Sequence, residues 1–120
     1  MQQSSFYQEA DLMLKMIPEV FKETCFALKG GTAINFFWRD MPRLSIDLDL
    51  TYLPIEDREI SLKKISEALQ KVSTSIKKIY KPLRVQHSLI KNTQEISKLL
   101  IRSREAQIKI EVNTLRLAHD

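Results

Sequence analysis

Asp47 and Asp49 stand one residue apart in an alternating run, Ile46-Asp-Leu-Asp-Leu-Thr-Tyr52. On a strand, successive side chains point to opposite faces, so both carboxylates share one face and can hold a divalent cation together. Upstream lie the chain's only two glycines, Gly30 and Gly31, followed by Thr32. A glycine pair between an apolar segment and a helix lets backbone N–H groups approach a phosphate closely. Near the end of the chain, Ile108, Ile110 and Val112 alternate with Lys109, Glu111 and Asn113. If that segment lies beside the aspartate strand, Glu111 becomes a third carboxylate on the same face. Three carboxylates and a glycine turn are what two-metal phosphoryl or nucleotidyl transfer needs. Magnesium ions about 4 Å apart neutralise a triphosphate, lower the pKa of an attacking hydroxyl and stabilise the departing pyrophosphate.

Each motif has a plainer reading when taken alone. Carboxylates on an exposed strand face are usually just solvated, and a Gly-Gly-Thr turn often only caps a helix. Their order, and the segment Arg43-x-Ser45-x-Asp47-x-Asp49 that joins them, make the combination specific.

These groups must be positioned by the surrounding elements. Ala10, Met13, Ile17, Val20 and Phe21 recur at helical spacing, which predicts a helix over 5–22 that Pro18 kinks or splits. Cys25 to Leu28 read as a short strand. Thr32 to Arg39 read as a short helix capped by Thr32, with Phe36, Phe37 and Trp38 packing it in place. Residues 40–45 form a connection, and Ile46 to Tyr52 a half-buried strand ended by Pro54. A long helix is expected from about Glu56 to Tyr80, striped by Leu62, Ile65, Leu69, Val72, Ile76 and Ile79. Beyond Pro82, strands are expected at Arg84–Ile90, Lys98–Arg104 and Gln107–Asn113. His87, on the Val85/Leu89 face, reads as a packed core histidine, and His119 as an untethered one.

Composition bounds the function. With 120 residues, 43% hydrophobic and 28% charged, the chain reads as a single domain, 1–120, with a modest core and no linker or repeat. There is no apolar run of the roughly 18 residues that suggests a membrane span, and the first residues lack a signal-peptide pattern. The lone Cys25 excludes an intrachain disulfide framework, fits a reducing cytoplasm, and reads as a buried small hydrophobe. The net charge of +4 is divided unevenly. Residues 1–60 hold 6 Lys+Arg against 10 Asp+Glu, and residues 61–120 hold 13 against 5. The basic half either draws in a polyanion such as RNA or a nucleotide, or merely keeps a helix soluble.

The Gly30-Gly31-Thr32 turn, the Arg43-Leu-Ser45-Ile-Asp47-Leu-Asp49-Leu segment and Lys109-Ile-Glu111 resemble the AbiEii/AbiGii nucleotidyltransferase toxins of type IV toxin–antitoxin and abortive-infection systems. More broadly they are similar to the DNA polymerase β-like nucleotidyltransferase superfamily. The resemblance covers nearly the whole chain. It implies an α+β fold, a mixed β-sheet flanked by helices. It also implies magnesium at the paired acids, a nucleoside triphosphate donor, a cognate antitoxin, and transfer of a nucleotide to a target such as tRNA or protein.

Carried onto this sequence, the resemblance implies that Gly30, Gly31 and Thr32 hold the β- and γ-phosphates and that Asp47 and Asp49 ligate magnesium. Lys109 would contact the phosphates, and Glu111 would be a third metal ligand or the base for the incoming hydroxyl. Arg43 and Ser45 fit the phosphate-binding pattern but can equally be structural, Arg43 by pairing with an aspartate and Ser45 by fixing the loop. Family members usually carry a further helical C-terminal region that helps bind the nucleotide, and the resemblance implies that it is absent from these residues. Two rival functions remain open: an inactive remnant of the fold that binds RNA or a partner protein, and a small-molecule nucleotidyltransferase whose acceptor pocket comes from elsewhere.

Overall fold

A computed structural model describes residues 11, 14–28, 34–39, 43–79, 84–90, 93–103 and 106–114. Six strands form one mixed sheet: β1 (Phe26–Leu28), β2 (Ile34–Arg39), β3 (Arg43–Tyr52), β4 (Arg84–Leu89), β5 (Ile96–Arg102) and β6 (Ala106–Val112). Their order is β1-β3-β6-β5-β4, with β2 also paired to β3. The ten-residue β3 is long enough to serve two antiparallel partners on one edge. Its N-terminal half pairs with β2, from Ile34↔Leu48 to Arg39↔Arg43, and its last residues pair with β1, from Leu28↔Leu50 to Phe26↔Tyr52. Its other edge runs parallel to β6, which is antiparallel to β5, and β5 to β4. Parallel neighbours cannot be joined by a tight turn. The chain between β3 and β6 is spent on the helix Arg58–Ile79 and the β4–β5 pair.

That helix follows Asp57, whose carbonyl accepts the Ser61 amide at 2.9 Å, and it carries Glu59 in its first turn and Lys77 and Lys78 in its last. Both charge placements suit the helix dipole. Its stripe Ile65, Leu69, Val72 and Ile76 is buried in one cluster with Ile46, Leu48 and Leu50 of β3, Leu99 and Ile101 of β5, and Ile108 and Ile110 of β6. Met16 and Val20 of the helical stretch 14–20 join the same core. Serines on the long helix, Ser66 buried and Ser75 half-buried, make polar ties. Ser66 Oγ accepts the Ile96 amide at 3.0 Å and fixes the start of β5. Ser75 Oγ donates to Glu19 at 3.2 Å and holds the leading helical stretch. At the end of β3, Tyr52 donates to Glu56 and Lys64 donates to its other oxygen, each at 2.6 Å.

The strands expected at 46–52, 84–90 and 107–113 and the helix at 56–80 are present within a few residues, and β5 begins two residues earlier than expected, at Ile96. The leading helix is helical at residues 11 and 14–20 and runs through Pro18. The short helix expected at Thr32–Arg39 is not formed: Ile34–Arg39 is a strand. The reason lies in its composition. Ile34, Phe36, Phe37 and Trp38 are β-branched or aromatic, weak helix formers that suit a pleated surface. The first half of β3 offers six registered partners for that strand. Phe36, Phe37 and Trp38 therefore lie on a strand. His87 also departs from expectation. It is exposed on β4, the last strand of the sheet, with Nε2 at 3.1 Å from Ser73 Oγ, rather than packed in the core. Burial lowers its pKa, and the nearby Lys77 adds to the effect. Cys25 is half-buried, and burial, followed by the charge of Glu23, raises its thiol pKa.

Candidate active site

The alternation along β3 separates its two faces cleanly. Ile46, Leu48 and Leu50 are fully buried against the helix side, while Asp47 and Asp49 are half-buried on the other. β6 does the same, with Ile108, Ile110 and Val112 buried and Lys109 and Glu111 half-buried. The parallel register sets Asp47 opposite Lys109 and Asp49 opposite Glu111. Adjacent strands are about 4.8 Å apart. Residues 62 positions apart in sequence thus become neighbours on one face.

The antiparallel pairing of β5 with β6 extends each pair into a row across the sheet. One row runs Asp49, Glu111, Lys98, Ser88. The next runs Asp47, Lys109, Leu100, Gln86, and Asn35 of β2 stands opposite Asp47 at its other end. A third runs Ser45, Gln107, Arg102, Arg84. Charge changes sign along this face, from acids on β3 to lysines and arginines toward β4.

The third row closes on itself. Gln107 Nε2 donates to Ser45 Oγ at 3.0 Å, and the two residues are 9% and 1% exposed. A buried polar group without a partner costs about 1–3 kcal/mol, so this bond ties β3 to β6 directly beside the acids. The Ser45 hydroxyl oxygen is the acceptor of that strand-to-strand tie. Arg43 stands opposite Arg39 in the β2–β3 register.

Glu111 is engaged from the other side. Lys98 Nζ lies 3.6 Å from its Oε2, with the two side chains 32% and 45% exposed. At that separation and exposure the pair is a loose ion pair, a class worth about 0–1 kcal/mol. Beside it a cavity of about 550 Å³ is lined by Lys98 and Lys109, the amides Gln86 and Gln107, Ser88, His87 and Leu100. Its two ammonium groups and two amides make it a polar recess that adjoins the acidic rows.

The donor set suits magnesium, which takes hard carboxylate oxygens. Asp47 and Asp49 share a face, and Glu111 is in register with Asp49. Among the described residues, however, no three His, Cys, Asp or Glu side chains are gathered as a formed metal site. The Glu111 carboxylate is in contact with Lys98 on β5 rather than turned wholly to β3.

Gly30, Gly31 and Thr32 lie outside the described residues. The helix that would have added its dipole to their grip on phosphate is replaced by β2. Sequence reasoning reached Asp47, Asp49, Lys109, Glu111 and Ser45, but it missed Lys98 and Gln107. Gln107 was legible as the preceding same-face residue of the Lys109/Glu111 strand. Lys98 was hidden, because its approach to Glu111 depends on the β5–β6 register, which no local pattern encodes.

A mixed sheet with helical segments in one core, and its acids on the opposite face, is an α+β fold of the nucleotidyltransferase kind. The family model for the nucleotidyl transferase AbiEii toxin of type IV toxin–antitoxin systems matches residues 11–117, and the chain belongs to that family. Comparison with curated proteins and with solved structures finds no match. The family is one of nucleotidyl transferase toxins of type IV toxin–antitoxin systems, which suggests transferase activity, a nucleotide substrate and a cognate antitoxin. Among the described residues no helix is long and apolar enough to cross a membrane.

Proposed function

We propose that the chain is a magnesium-dependent nucleotidyltransferase domain of the toxin type, moving a nucleoside monophosphate from a nucleoside triphosphate to an RNA such as tRNA, or to a protein, in the cytoplasm. The observation that carries this reading is the parallel register of Asp47 with Lys109 and Asp49 with Glu111. That register brings the acids and the lysine of two distant motifs onto one sheet face, as phosphoryl transfer requires.

In this reading Asp47 and Asp49 hold the cation, with Glu111 as third ligand or as base. Magnesium, when bound, supplies the charge that neutralises the triphosphate and eases ionisation of the acceptor hydroxyl. The acceptor oxygen forms a bond to the α-phosphorus while the bond from that phosphorus to the bridging oxygen breaks, and pyrophosphate leaves. The hydroxyl proton passes to a base, for which Glu111 is the candidate in reach of the acids. Lys109 neutralises the phosphates from the same face. Gly30, Gly31 and Thr32 offer backbone N–H groups and a hydroxyl to the β- and γ-phosphates. Ser45 is tied into the site by the bond it accepts from Gln107.

Isothermal titration of a nucleoside triphosphate with magnesium into the wild type and into Asp47→Ala tests the reading. Saturable binding by the wild type and its loss in the variant are expected. Equal binding by both, or by neither, overturns it. Persisting RNA affinity in Asp49→Ala, with no labelled nucleotide transferred by the wild type, would instead select a binding module built on the same fold.

A further inference from the structure

Glu111 stands in a row between two residues of opposite demand, Asp49 on β3 and Lys98 on β5. Like charges directly opposite each other on neighbouring strands repel. The Lys98 ammonium, 3.6 Å from the Glu111 carboxylate, supplies a compensating charge. We propose that Lys98 is a positioning residue, a resident counter-ion that holds Glu111 in the cation-free chain and gives it up when a divalent cation binds. The proposal rests on the cation reading of Asp47, Asp49 and Glu111 given above.

Three points support the exchange. The ion pair is loose and both side chains are partly exposed, so water already screens it and little holds it against a competitor. A divalent cation seated at Asp47 and Asp49 would offer Glu111 twice the charge of an ammonium and a geometry that gathers several carboxylate oxygens. Finally, the released ammonium has somewhere to go. Lys98 lines the cavity that holds Lys109, Gln86, Ser88 and Leu100. Turning into that cavity sets a second cation beside Lys109. Loading the acids with metal and increasing the positive charge of the recess are then one event, and the coupling is reciprocal by linkage.

Titration calorimetry with magnesium chloride on the full chain tests this with four proteins: wild type, Lys98→Met, Glu111→Gln and the double variant. Lys98→Met removes the competitor, so magnesium affinity should rise about 2- to 5-fold, the range a weak exposed ion pair corresponds to. In the Glu111→Gln background the same substitution should change affinity less than about 2-fold, because a general field effect would survive there and displacement would not. Without metal, Lys98→Met should also melt at a lower temperature than the wild type, and magnesium should close that gap. Lys98→Gln, of similar shape and better solubility, repeats the comparison and guards against a folding defect, with circular dichroism as the check. Unchanged or weaker magnesium binding in Lys98→Met, or an equal gain in the Glu111→Gln background, overturns the proposal while leaving the cation reading intact provided Asp49→Asn abolishes wild-type binding. No saturable magnesium binding by the wild type overturns both.

Discussion

Asp49 on β3 is the direct parallel-register partner of Glu111 on β6, so two carboxylates face one another across the centre of the sheet. A fold selected only for stability would not keep like charges there, since such a cross-strand pair is unfavourable by up to about 1 kcal/mol. In magnesium-free buffer, Asp49→Asn is therefore expected to be as stable as the wild type or up to about 1 kcal/mol more stable in urea unfolding. Added magnesium should raise the wild-type midpoint and leave that of Asp49→Asn in place. A variant clearly less stable than the wild type in metal-free buffer would show that Asp49 serves the fold.

Directly behind the acids, Leu48 and Ile110 are register partners and both are 0% exposed. Each is flanked on its own strand by the site residues, Asp47 and Asp49 or Lys109 and Glu111. Leu48→Ala or Ile110→Ala should each cost about 2–5 kcal/mol by lost burial and the cavity left behind. Because the pair is in contact range, the double variant should cost less than the sum of the two. Urea unfolding of the three variants measures this, and strict additivity would mean that the two side chains do not share one packed layer.

Much of the arrangement is legible in the sequence. Ile46-x-Leu48-x-Leu50 and Ile108-x-Ile110-x-Val112 specify a buried face by period two, and the same period places Asp47, Asp49, Lys109 and Glu111 opposite. The helix Arg58–Ile79 was equally plain from its stripe. The segment Ile34–Arg39 misled, because a glycine pair ahead of an apolar run suits a helix start as well as a strand. The decision came from β3, whose first half is long enough to pair with it. His87 misled for a related reason. Its apolar neighbours Val85 and Leu89 suggested a core face, yet β4 is the last strand in the sheet order and most of it is exposed, with Leu89 at 52%. Position in a sheet is a property of the whole topology, and no window of sequence contains it.

His87 on that strand gives the fold a pH dependence. Burial, and then the charge of Lys77, lower its pKa from the ordinary 6.5. The unfolded chain therefore binds the proton more readily than the folded one between the lowered pKa and 6.5. The histidine's contribution to stability is complete above about pH 6.5, declines as pH falls below it, and levels off once the folded form is also protonated. His87→Gln keeps a polar partner for Ser73 and removes the titration, so the gap between the two proteins should narrow or reverse on acidification. Thermal melts of both at about pH 8 and about pH 5 measure it. Parallel pH profiles would mean that the imidazole titrates alike in the folded and unfolded chains.

The tie between Gln107 and Ser45 carries the last expectation, because it separates a structural serine from one that handles phosphate. Ser45→Ala leaves the Gln107 amide buried without its acceptor, and Gln107→Leu leaves the serine hydroxyl without its donor. Each should cost about 1–3 kcal/mol. The double variant removes both polar groups together and should be less destabilised than the sum of the singles by about 0.5–3 kcal/mol. If Ser45 acts only through this bond, Gln107→Leu and Ser45→Ala should weaken nucleoside triphosphate binding to the same small extent. A hydroxyl that reached the phosphates would instead make Ser45→Ala much the more damaging of the two for binding, while the stability cycle stayed as described. Calorimetric titration of the triphosphate into the three variants, read beside their urea midpoints, distinguishes the outcomes.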